Sequence, residues 1–123
     1  FSDSKLGIMD DKLFDYEATL GEGENLTKAE RLDYGDSLLT HAMLLTGVDL
    51  DENGNVIKWQ VENSWGKDEG DEGIFSMSDS WFDEYTYQVT VDRKFVDEKI
   101  LDIYDNCEIT ELEPWDPMGS LAM

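Results

Sequence analysis

His41 is the only histidine in the chain. Imidazole is the side chain whose ordinary pKa lies where acid–base chemistry runs near neutral pH. A single histidine on an apolar run is most often packed or at the surface, so its surroundings decide its meaning. His41-Ala42-Met43 leads an apolar stretch that reaches Thr46-Gly47-Val48. Further along stands Glu62-Asn63-Ser64-Trp65-Gly66, followed shortly by Glu72-Gly73-Ile74-Phe75. Other chemical signals are weaker. Cys107 is the single cysteine, which excludes an internal disulfide framework and an all-Cys zinc site and fits a reducing compartment. One His and one Cys cannot complete zinc's usual ligand set without carboxylates. Asp49-Leu50-Asp51-Glu52-Asn53-Gly54 matches the opening of an EF-hand loop, but Gln60 stands where the bidentate Glu is needed. An acidic hairpin turn accounts for it better. Asn25-Leu26-Thr27 fits the glycosylation pattern, as many tripeptides do by chance. The many acidic pairs include none marked out for glycoside hydrolysis.

The elements that must position His41 and Asn63 follow from pattern. Residues 41–50 and 55–63 read as two strands, the second with Ile57, Trp59 and Val61 on one face. Asp51-Glu52-Asn53-Gly54 between them supplies an Asn-Gly turn, a strong hairpin signal. His41 then begins one strand and Asn63 ends the next, so both lie at the same end of the sheet. Thr27-Lys28-Ala29-Glu30 is a capping box, which predicts a helix over about 28–37. Residues 73–77 and 85–91 read as further strands, 78–84 as a helical turn and 95–104 as a short helix. The end, 113–123, has two prolines and no period, and reads as an extended arm.

The chain has 123 residues, which suits one domain, and a net charge of −21 from 30 acidic and 9 basic side chains. At 40% hydrophobic and 11% aromatic residues it is no disordered acidic tail. The acidity argues against nucleic acid and anionic membrane as partners, because both would repel it. No apolar run has the length of a membrane span. Phe1-Ser2-Asp3-Ser4-Lys5 is neither a signal peptide nor an initiator Met, so the chain is expected to begin inside a longer protein.

His41 and Asn63-Ser64-Trp65-Gly66, in that order and joined by a hairpin, resemble the papain-like cysteine peptidases. There the catalytic His opens one strand, and the orienting Asn lies in an Asn-Ser-Trp-Gly motif at the end of the next. The chemistry needs these types. A thiol becomes nucleophilic beside a base, and His then protonates the leaving amine. An Asn amide oxygen fixes the tautomer and plane of the ring. The resemblance makes His41 the base and later the acid, Asn63 the orienter, and Trp65 a shield over their hydrogen bond.

Lys5-Leu6-Gly7-Ile8-Met9-Asp10, Thr27–Leu32, Thr40–Met43, Asp83–Gln88 and Pro114–Ala122 are similar to the aminopeptidase C and bleomycin hydrolase branch. The resemblance implies an α+β, papain-like fold: its C-terminal half, with a barrel-like antiparallel β-sheet and a few short helices. It divides the chain into that half, 1–112, and a C-terminal arm, 113–123, directed toward the active-site cleft. The carboxylate of Met123 would hold the substrate's free amine, or that of Ala122 if Met123 is trimmed. The nucleophilic Cys and the oxyanion-hole Gln lie upstream in the family and are not in this sequence. Cys107 follows Asn63 and lacks the nucleophile's context. The resemblance thus implies the C-terminal segment of a cysteine aminopeptidase that acts on peptide substrates. It further implies a cytoplasmic homohexamer as the full-length form, no metal or organic cofactor, and dependence on the rest of the parent chain. The competing reading is a catalytically inactive β-domain with a binding or assembly role, whose sheet edge or apolar surface is open to self-association.

Overall fold

The computed structural model describes residues 2–15, 18–19, 21 and 26–122. Five strands form one sheet: β1 (Ser2–Asp3), β2 (Ile8–Met9), β3 (Leu44–Leu50), β4 (Val56–Glu62) and β5 (Ile74–Ser78), in the order β1-β2-β5-β4-β3. The helices whose bounds are described are α1 (Lys28–Asp33), α2 (Asp79–Tyr85) and α3 (Glu98–Asn106). Two 3-10 segments, Arg93–Phe95 and Pro117–Ala122, complete the described elements. No helix among the described residues is long and apolar enough to cross a membrane.

The expected α+β composition with few short helices holds, and the expected barrel does not. β1 and β3 are the two edges of an open sheet, and they do not pair. Nor is the sheet wholly antiparallel, because β2 runs parallel to β5, with Ile8 opposite Ser76. The strand expected at 85–91 is also absent. Ser78 accepts from Trp81 N–H and starts α2, which continues through Tyr85. The following residues join neither edge of the sheet, and Val89 and Val91 remain exposed. The carbonyls of Asp83 and Thr86 instead accept from Lys28 Nζ, at 2.5 and 2.6 Å. Arg31 reaches the same helix end, pairing with the Glu84 carboxylate and lying over Tyr85 at 5.0 Å. Two cations of α1 thus satisfy the C-terminal carbonyls of α2, which is the end that favours positive charge.

The capping box forms as its sequence predicts. Thr27 accepts from Glu30 N–H, and Glu30 Oε2 accepts from Thr27 N–H at 2.8 Å. The helix is shorter than expected, however, because Gly35 takes φ +71° and turns the chain away. Within the expected arm, Pro117–Ala122 winds as a 3-10 segment instead of running extended.

The core is small: Met9, Val61, Phe75 and Met77 are buried together, with Met43, Trp59, Trp81 and Phe82 packed on them. Val61 faces Phe75 and Trp59 faces Met77 across β4 and β5, so alternation delivers one apolar face. Ile57, at the far end of that face, stays exposed. The indole Nε1–H of Trp59 donates to Asp79 Oδ1 at 2.9 Å, which fixes α2 against the sheet.

The β3–β4 hairpin sits where the Asn-Gly signal predicts, with a different turn. Only Gly54 of that pair has positive φ, +85°, so the two-residue form with two left-handed residues is not made. Asp51 organises the loop instead: its carboxylate accepts from Asn53 N–H, Asn55 N–H and Asn55 Nδ2, each at 2.8 Å. These bonds, led by the Asn55 side-chain amide and backbone N–H, hold the Asp51 carboxyl below its ordinary value. A depressed folded pKa contributes stability that is complete above the unfolded value of about 3.9 and is lost as pH falls through the folded one. The Asn55 N–H resonance is therefore expected to move only in acid below about pH 4. Asp51→Asn should abolish that titration; a midpoint at the unfolded value would contradict the clip.

Candidate active site

The hairpin register builds the site. Leu44 lies opposite Glu62, so the segment before β3 and the segment after β4 leave the sheet at the same end. His41 does not begin the strand as expected; it lies in the coil preceding Leu44, while Asn63 directly follows β4. The offset carries His41 beyond the last strand pair, where Asn63 waits. The Asn63 backbone N–H donates to the Gly73 carbonyl at 3.0 Å, extending the β4–β5 ladder by one residue. Gly73 has φ +94°, a conformation that favours glycine, and a Cβ there would meet the Gly66 carbonyl oxygen at 3.2 Å.

The side chains of His41 and Asn63 meet at 2.8 Å, Nε2 to Oδ1. Asn63 is buried. Its Oδ1 also accepts from Ser64 N–H at 2.8 Å. A backbone N–H can only donate, so the atom it meets must be the amide oxygen. Nε2 of His41 must then carry the hydrogen. In the neutral ring this leaves Nδ1 with the lone pair. His41 is exposed, so that nitrogen sits on a solvent-accessible ring. Asn63 Nδ2 is buried with no acceptor among the described residues, a state that costs about 1–3 kcal/mol if nothing joins it.

Trp65 stacks on the imidazole, with centroids 4.7 Å apart and planes inclined by 29°. Its other contact is edge-on to the ring of Phe75, at 6.2 Å and 74°. Since Phe75 belongs to the core, the indole links the site to the packed face of the sheet. Trp65 itself is 54% exposed while it covers one face of the imidazole. The sequence reading missed the supporting roles of Gly73 and Phe75. The signal for both was the pairing of β4 with β5, which the hairpin reading of β3 and β4 did not include.

Cys107, set aside as the nucleophile, lies elsewhere. Cys107 caps the C-terminal end of α3 and is exposed, its N–H donating to the Ile103 carbonyl at 3.0 Å. No contact joins it to His41 or Asn63 among the described residues. Met123 falls outside the described residues. Among the described residues no cluster of three or more His, Cys, Asp or Glu could hold a metal ion.

A histidine with its tautomer fixed by a buried amide, and with an aromatic plate on one face, can exchange a proton with a nucleophile at Nδ1. Comparison with known proteins bears on which nucleophile. The peptidase C1-like family profile matches residues 1–119. Aminopeptidase C of Listeria monocytogenes is 50% identical over 99% of this chain and 27% of its own length. Human bleomycin hydrolase is 50% identical over 97% of this chain and 27% of its own length. The crystal structure of PepW from Lactobacillus rhamnosis superposes with a TM-score of 0.84 at 48% identity, over 96% of this chain and 27% of that one. The chain thus spans about a quarter of the length of these relatives.

Proposed function

Because the chain belongs to the peptidase C1-like family, we propose that it is the C-terminal segment of a cysteine aminopeptidase. It carries the base and the orienting amide of a Cys-His-Asn site, and the nucleophile comes from the rest of the parent chain. The observation that carries this reading is the 2.8 Å contact of His41 Nε2 with Asn63 Oδ1, which presents Nδ1 as the proton-accepting atom.

In the assembled parent, Nδ1 of His41 takes the thiol proton and the thiolate attacks the peptide carbonyl carbon. Collapse of the tetrahedral intermediate breaks the C–N bond. The imidazolium gives its proton to the departing amine and leaves a thioester. A water molecule, deprotonated by the same nitrogen, then attacks the thioester carbonyl; the C–S bond breaks, the carboxylic acid departs, and the imidazolium returns its proton to the thiolate. Asn63 holds the ring through both transfers. Trp65 lowers the local polarity around that hydrogen bond, which strengthens it.

The buried, unpartnered Nδ2 of Asn63 supports a site completed by another part of the parent. We assign residues 1–112 to the β-rich half and 113–123 to an arm toward the cleft. The terminal carboxylate, at Met123 or at Ala122 after trimming, serves as the anchor for the substrate's amino terminus. Peptides are the substrate class, and the full-length form is a cytoplasmic homohexamer.

A second reading, a binding or assembly role without catalysis, is favoured by one feature. Leu44, Val48 and Leu50 on edge strand β3, and Ile100, Ile103 and Tyr104 on α3, are all exposed. Hydrolysis of a fluorogenic aminoacyl amide by this chain in reducing buffer, with Cys107→Ala run beside it, tests whether the nucleophile lies outside this chain. No turnover in either sample is expected. Turnover lost in Cys107→Ala would make Cys107 the nucleophile and overturn the proposal.

A further inference from the structure

α1 ends at Asp33, and Gly35 then turns the chain with φ +71°. Facing this corner is a tight turn at the other end of the sequence. Asp116 N–H donates to the Glu113 carbonyl at 2.9 Å, and Met118 N–H donates to Asp116 Oδ1 at 2.8 Å. Between the two lies a cavity of about 340 Å³, with Leu32, Asp33, Tyr34 and Leu38 on one side and Trp115 and Asp116 on the other. Leu32 is buried, whereas Tyr34 and Trp115 are 75% and 79% exposed. Two large rings here contribute little to the core.

Elsewhere the chain places its own cations over aromatic rings. Lys28 lies over Tyr87 at 5.2 Å, Arg31 over Tyr85 at 5.0 Å, Arg93 over Tyr104 at 6.0 Å and Lys94 over Phe95 at 4.8 Å. Tyr34 and Trp115 have no such cation among the described residues, and Asp33 and Asp116 have no ion pair there. Two electron-rich ring systems and two carboxylates therefore share one concavity with no positive charge of its own. An anion is excluded by the carboxylates and by the net charge of −21. A bare metal ion lacks the ligand cluster it needs among the described residues. An alkyl stem with a cationic head fits both parts: methylenes on Leu32 and Leu38, charge against the ring faces and carboxylates.

We propose that this cavity binds a lysine or arginine side chain of a peptide. The site does not depend on His41 or Asn63, so its test is independent of the peptidase reading. The probe is acetyl-lysine N-methylamide, titrated into the 123-residue chain while the Trp115 indole N–H is followed by NMR and identified through Trp115→Phe. Acetyl-norleucine N-methylamide serves as the uncharged counterpart. A saturable shift is expected with the lysine probe, at least about fivefold tighter than with norleucine. Asp116→Asn keeps an acceptor for Met118 N–H while removing the charge; it should weaken binding about threefold, as should Tyr34→Leu. Asp102→Asn, on α3 outside the cavity, should leave it unchanged. Equal affinity for both probes, no shift, a shift that does not saturate, or equal weakening by Asp102→Asn would each overturn the proposal. The last two would mark only the diffuse field of an acidic chain.

Discussion

In the full-length parent, His41→Ala is expected to lower kcat for an aminoacyl amide by at least about 10³-fold, with KM little changed. The thiol loses the group that takes its proton, and the departing amine loses the group that supplies one. Asn63 cannot substitute, because an amide has no useful basicity. His41 is exposed and contributes little to packing, so the variant should melt close to the wild type. That separation is informative. A loss of rate with an unchanged melting temperature places the defect in proton transfer. A variant retaining more than about a tenth of the wild-type rate would place the base elsewhere.

Phe75→Ala is expected to have the largest effect on stability. Phe75 is 2% exposed and sits among Met9, Val61 and Met77, opposite Val61 on the neighbouring strand. Emptying such a position costs about 3–5 kcal/mol, from lost transfer energy and a cavity. Against a total of roughly 5–15 kcal/mol for a small domain, that is a large fraction. The melting temperature should fall by about 10–20 °C. The site should suffer as well, because Trp65 rests edge-on against the Phe75 ring and stacks on His41 with its face. Phe75→Leu should restore much of the stability but not the edge contact. A drop below about 5 °C for Phe75→Ala would show that the core is not organised around this ring.

The site was more legible in the sequence than the sheet that carries it. His41 and Asn63 could be brought together from two strand patterns and one Asn-Gly turn, because hairpin pairing is local and its register follows from the loop. The capping box at Thr27 and Glu30 was legible for the same reason, since both partners lie within one helical turn. What could not be read depends on distant pairing. Nothing local to Ile8-Met9 shows that it runs parallel to Ile74–Ser78, and nothing local shows that β1 and β3 fail to close the sheet. The alternation over 85–91 misled because period two records only which residues could share a face. There the chain joins neither sheet edge, and Lys28 satisfies the carbonyls of Asp83 and Thr86 instead. Gly73 and Phe75 were overlooked because their importance lies in contacts across β5, not in residue type.

The central claim is that His41, held by Asn63, activates a thiol supplied from outside this chain. The most direct test is the pH dependence of thiol alkylation in the full-length parent, comparing wild type with His41→Ala. The account predicts that the wild-type active-site thiol reacts as a thiolate well into acid, as a cysteine paired with an imidazolium does. In His41→Ala its inflection should rise toward the value of about 8.5 of an ordinary cysteine. Identical profiles in the two proteins would contradict the account, because they would show a thiol that does not sense His41.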